Sequence, residues 1–141
     1  MSEFLRDFAR HFAALGADNL HQLDELYSRD VVFHDPLHQI SGLANVRQYF
    51  AELYANVQEL RFDFHAFDQT GDSSGYLRWT MSYRHPRLAG GGLIRVDGCS
   101  HLQWSDGKVY RHRDYFDAGN LLYEHLPVLG AAIRWLKRRL A

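Results

Sequence analysis

With 141 residues, 46% of them hydrophobic and 23% charged, the chain can bury most of its apolar surface around a core and is too apolar to stay disordered. A net charge of −1 gives no field for nucleic acid, and no interleaving of basic and aromatic residues offers a base-stacking surface. Aromatic residues, at 14%, exceed what so small a core needs and point to a pocket or an interface.

The first helix is expected from a Ser2 cap, with Phe4, Leu5, Phe8, Phe12 and Leu15 at helical spacing and Gly16 ending the run. A second helix, capped by Asp18, would bury Leu20, Leu23, Leu26 and Tyr27. "VVFHDP" then reads as a strand over 31–35 that Pro36 breaks, and Ser41-Gly42 opens a third helix along Leu43, Val46, Phe50, Leu53 and Val57.

From residue 59 the apolar period shortens to two. Phe62, Phe64 and Ala66 alternate with Arg61, Asp63 and His65; Leu77, Trp79, Met81, Tyr83 and His85 alternate with Arg78, Thr80, Ser82 and Arg84. Gly90 to Gly92 turn the chain into a strand over 93–104, Ser105-Asp106-Gly107 turn it again, and "VYRHRDYFD" is the last strand. Helices followed by a strand meander make an α+β domain spanning 1–141, with no linker or repeat. In the final strand, Tyr110, His112, Asp114 and Phe116 share one face, while Arg111, Arg113 and Tyr115 take the other.

Residues 126–140 read as an amphipathic basic helix. Val128, Leu129, Ala132, Ile133, Leu136 and Leu140 lie on one face, with Arg134, Lys137, Arg138 and Arg139 around the rest and Trp135 near the edge. After Glu124 there are four basic residues and no acid, so the preceding part carries a net of −5 and the tail +4. The plain expectation is a helix packed on its own domain; the sharper one is contact of 128–141 with an anionic membrane surface. The lone Cys99 excludes an internal disulfide and reads as a small strand residue in a reducing compartment. An acid at the third residue argues against a signal peptide, so the expected location is the cytoplasm.

The order of these elements resembles the nuclear transport factor 2-like superfamily, which includes ketosteroid isomerases, SnoaL-like polyketide cyclases and limonene epoxide hydrolases. "LYSRDVVFHDP" ends in the Asp-Pro that the isomerases also show, Ser41-Gly42 opens the next helix as theirs does, and "RDYFD" at Arg113–Asp117 is similar to the close of the last strand in the epoxide hydrolases. The resemblance implies a cone-shaped, curved antiparallel sheet wrapped around the N-terminal helices, a pocket between them, and a homodimer paired through the open sheet face. Outward Arg78, Arg84 and Arg113 would make that face polar.

It also implies roles. Asp35 falls where the isomerases keep their general base, but the two oxyanion donors are replaced by His11 and Ser100, so the strongly acidic donor pair is missing. Asp114 matches one aspartate of the epoxide hydrolases, while Met81 and Tyr83 stand where their arginine and second aspartate would be. Neither family mechanism is therefore expected intact. The implied inner set is Asp35, Asp114, His112 and His11 as acid–base groups, with Phe33, Trp79, Met81, Tyr83, Ser100, Leu102 and Phe116 as the apolar bowl.

A carboxylate among Phe, Trp and Met loses hydration, which suits general-base work near neutral pH. The expectation is Asp35 as base, with Asp114 orienting His112 or a water as acid, on an apolar lipid, terpenoid, steroid or polyketide-like molecule. The alternative is a non-catalytic binding module in which Asp-Pro is turn chemistry, His112 and Asp114 are a structural pair, His11 is a core histidine and Trp79, Met81 and Phe116 are core. Neither metal nor cofactor is expected: His34-Asp35-x-x-His38 offers ligand types, but its side chains diverge and no CxxC or helical HxxxH accompanies it.

Overall fold

A computed structural model describes residues 3–121, 125 and 127–140. The expected cap Ser2 and the expected first residue of the tail helix, Leu126, lie outside the described residues. Helix α1 (Glu3–Ala13) buries Leu5, Phe8, Ala9 and Phe12, the i, i+3, i+4, i+7 stripe that its periodicity requires. Asp18 starts no helix. Instead, a 3₁₀ turn (Leu20–Gln22) leads into a single turn, α2 (Leu23–Leu26), and Tyr27 already begins strand β1 (Tyr27–His34).

Strand β2 (Gln39–Ser41) folds back on β1, Gly42 at φ 90° admits the chain to α3 (Leu43–Asn56), and the long strands β3 (Gln58–Gly71), β4 (Ser74–Arg84), β5 (Ile94–Ser105) and β6 (Lys108–Phe116) follow. Asp106 and Gly107, both at positive φ, make the two-residue turn between β5 and β6, as an Asp-Gly pair is suited to do. Short α4 (Ala118–Leu121) and α5 (Pro127–Leu140) close the chain.

The strands form one curved, unclosed sheet in the order β2-β1-β6-β5-β4-β3, with the N-terminal helices against it. The sheet is antiparallel except between β1 and β6, which run parallel. Phe12 of α1 packs its ring edge-on against Phe50 of α3 and Phe62 of β3, so one side chain joins both helices to the sheet.

Two bulges shift the alternation read from sequence. Gln103 pairs with Arg111 and Trp104 with Val109, so Tyr110 is an extra residue that turns outward and is exposed, whereas Val109 and His112 both face in. His65 is likewise unpaired between Phe64 and Ala66, which brings Phe67 rather than Ala66 opposite buried Leu77.

Candidate active site

Four strands and α1 converge on His112 and Asp114. Register places Ser100 opposite Asp114, Leu102 opposite His112 and Leu77 opposite Ser100, and the parallel β1 brings Phe33 beside His112 with ring centroids 4.8 Å apart. The polar groups form one continuous chain. Tyr27 Oη lies 2.7 Å from His112 Nδ1, His112 Nε2 lies 2.7 Å from Asp114 Oδ1, Ser100 Oγ donates to the same Oδ1, and Trp79 Nε1 donates to Ser100 Oγ at 2.8 Å.

Burial, reinforced by the charge of Asp114, pushes the Tyr27 phenol well above its ordinary pKa and keeps it a donor. His112 Nδ1 therefore accepts, and its proton sits on Nε2, pointing at Asp114. Every donor in the chain thus runs toward one carboxylate. Oδ1 takes two bonds, and Oδ2 has no partner among the described residues.

Asp114 lines a residual space with Phe8, Phe12, Phe62, Phe64, Leu77 and Trp79 together with Ser100 and His112. The space is about 10 Å³, room for a single water. The expected open bowl is therefore largely filled by rings at this depth. Met81 and Tyr83 follow Trp79 at two-residue steps on the same face of β4, and they line a separate cleft of about 340 Å³ with Leu53, Val57, Leu60, His85, Arg87, Leu88 and Leu121. Its floor lies roughly 7 Å further along the strand than Trp79. Phe116 is half-buried against Trp79.

Asp35 is buried, as expected, but it does not line the space at Asp114. Its Oδ1 accepts the backbone N–H groups of Leu37 and His38 at 2.8 and 2.7 Å and lies 3.2 Å from His38 Nδ1, while Oδ2 accepts from Tyr49 Oη at 3.1 Å. The turn has claimed Oδ1 and Tyr49 of α3 has claimed Oδ2. The two carboxylates thus sit in adjacent clusters, with Tyr49 between them. Burial first, then the charge and hydrogen bond of Asp35, then the charge of Asp114 raise the Tyr49 phenol.

Nor does His11 face inward as the resemblance implied. It is exposed on the flank of α1, its Nδ1 2.8 Å from Asp7 O, because Phe8 and Phe12 occupy the inward positions. Two residues were missed. Tyr27 was assigned to a helix, and Tyr49 was overlooked although it completes the Val46, Phe50, Leu53 stripe of α3. No group of three or more His, Cys, Asp or Glu side chains placed to hold a metal ion occurs among the described residues.

The buried tyrosines give a pH prediction. Burial raises Tyr54 and Tyr83 to about 12, and Tyr27 and Tyr49 are raised too. An unfolded tyrosine ionises near pH 10, so their contribution is complete below that value and is lost as pH climbs through the folded values. Urea midpoints should fall steeply above about pH 10, in step with tyrosinate absorbance; midpoints that stay flat to pH 12 would show these phenols open to water.

A family model described as a SnoaL-like domain matches residues 8–112. Among solved structures, TsrD from Streptomyces laurentii superposes with a TM-score of 0.71 at 20% identity, over 84% of this chain and 91% of that one. A protein with a ketosteroid isomerase-like fold from Catenulispora acidiphila DSM 44928, in complex with trimethylamine, gives 0.72 at 12% identity over 89% and 94%. An LEH-like epoxide hydrolase of M. tuberculosis gives 0.66 at 17% over 81% and 83%. A search of the curated proteins returned no match.

Proposed function

The chain belongs to the SnoaL-like domain family, and from that premise we propose a small cofactor-free acid–base enzyme, an isomerase, cyclase or hydratase, acting on an apolar small molecule. The observation that carries this reading is Asp114: a carboxylate held by His112 and Ser100 through Oδ1, with Oδ2 left for a reacting proton. Oδ2 would take a proton from substrate and return it at a second position, while the two donors hold the anion in place. The geometry favours Asp114 over Asp35 as base, since both Asp35 oxygens are engaged. A substrate bound in the cleft would reach Asp114 only after the Trp79 ring moves aside.

The test is solvent deuterium uptake into a panel of enones, cyclic ketones and β-keto esters. Uptake with the native chain and none with Asp114→Asn supports the reading. Binding of such compounds without exchange supports the second reading, a ligand-binding module, which the filled space at Asp114 favours.

The tail adds a proposal of its own. Along α5, Gly130 is buried and Ile133 half-buried, but Leu129, Trp135, Leu136 and Leu140 are 47%, 51%, 53% and 88% exposed. Much of the expected apolar face is thus open to solvent, the Val128 side chain lying outside the described residues, and on the helix flank Lys137 Nζ lies 3.2 Å from Asp117 Oδ2. Lys137 and Arg139 border the open stripe, and Arg139 lies over Trp135. This arrangement suits shallow insertion among anionic headgroups. Flotation with anionic vesicles should recover the chain and lose it on Leu136→Glu/Leu140→Glu; equal flotation of both forms rejects the contact.

No helix among the described residues is long and apolar enough to cross a membrane, and the location we propose is the cytoplasm, with some protein at the membrane surface. Cell fractionation that leaves it outside both would reject this. The outer sheet face carries a polar network, His65 to Thr80 and Thr80 to Asp97, beside Arg78, Arg84 and Arg113, and supports pairing of two copies. Light scattering should read a dimer; a monomer at all concentrations rejects it.

A further inference from the structure

We infer that the apolar cleft at the end of β4 binds a small carboxylic acid with an apolar body. The inference rests on the pocket reading above and adds the charge of the ligand. Among the described lining residues there is no acid, and the nitrogen-bearing side chains are His85 and Arg87, both at the loop that follows β4. The remainder, including Leu53, Val57, Leu60 and Met81, can cover a hydrocarbon chain or ring. At about 340 Å³ the cleft falls at the small end of ligand sites, which span about 300–1,000 Å³.

The basic rim is held rather than loose. Leu88 N donates to His85 O at 3.1 Å, closing a turn with Pro86 at its second position, where the fixed φ of proline stiffens the loop. Arg87 N donates to His85 Nδ1 at 3.1 Å, so the ring proton of neutral His85 is on Nε2 and available to an acceptor.

The guanidinium of Arg87 has no partner among the described residues, whereas neighbouring Arg84 is committed to Glu59 and Gly91. An unpaired guanidinium beside a neutral N–H donor, above an apolar floor, is complementary to a carboxylate carrying a hydrocarbon body. An alcohol would fill the floor without using the charge, and an amine would be repelled at the rim.

The experiment is calorimetric titration of the full chain with decanoate, decanol and decylamine, each below its micelle concentration. Decanoate should bind about tenfold more tightly than decanol, the scale of one charge-assisted bond at a partly hydrated rim, and decylamine more weakly than either. Arg87→Gln should bring decanoate down to the level of decanol and leave decanol unchanged. Leu60→Trp, which fills the cleft, should remove both.

Equal binding of decanoate and decanol to the native chain, or a decanoate preference that survives Arg87→Gln, overturns the carboxylate inference while the apolar site stands. Binding that survives Leu60→Trp puts the ligand elsewhere and overturns it also. If no ligand binds the folded chain, the inference and the pocket reading fall together.

Discussion

Asp114→Ala is expected to lower the free energy of unfolding by about 2–6 kcal/mol, at about 1–3 kcal/mol for each of the two buried donors it strands. The carboxylate is the shared acceptor of His112 Nε2 and Ser100 Oγ, and behind them stand Tyr27 and Trp79. Truncation leaves two donors with no acceptor in a space too small to admit more than a water. Asp114→Asn keeps an amide oxygen for one donor and should cost less, about 1–2 kcal/mol, while reducing proton exchange at least about a hundredfold.

Asp35→Ala separates the two carboxylates experimentally. It should cost about 1–3 kcal/mol through the loss of turn and Tyr49 bonds, yet leave exchange in place. Urea midpoints and deuterium uptake read both properties on the same samples. If Asp114→Ala proves as stable as the native chain, the polar relay is not formed and the acid–base reading goes with it.

The four long strands and the inward set Leu77, Trp79, Met81 and Tyr83 were legible because burial on one face writes a period-two pattern into the sequence, and the buried face of α1 because a helix writes one near 3.6. The errors sit where a local event breaks that period. The bulge at Tyr110 adds a residue with no change in composition, so the face assigned to Tyr110 was wrong while His112 and Asp114 kept theirs.

Asp35 shows a different limit. The resemblance implied that it faces inward, but not that backbone N–H groups two and three residues later would turn the carboxylate into its own loop. The partnership of Tyr27 with His112 spans 85 positions and depends on the parallel register of β1 and β6, which no local pattern encodes. The family resemblance implied that Asp114 faces inward; its position as the common acceptor of His112 and Ser100 it did not imply.

Gly98→Ala is expected to cost about 1–3 kcal/mol through overpacking, and the cost should depend on Trp79. Gly98 pairs directly with Trp79 on β4 and Phe116 on β6, and the indole leans over its backbone, filling the volume that a side chain would occupy. A methyl group there would overlap the six-membered ring, with Cζ3 at 2.7 Å, so the indole must swing away and release its bond to Ser100.

In a Trp79→Leu background the same methyl meets open space and partly fills the cavity left by the indole. The double variant should therefore be more stable than the sum of the single effects by about 1–2 kcal/mol, a coupling readable in a denaturant-based mutant cycle. Strict additivity would mean that the ring does not rest on Gly98. The consequence reaches the proposed chemistry, because the displaced indole lines the space at Asp114 and precedes Met81 and Tyr83 of the cleft on the same face of β4. Faster deuterium exchange in folded Gly98→Ala, despite its lower stability, would identify Trp79 as the barrier that substrate must move.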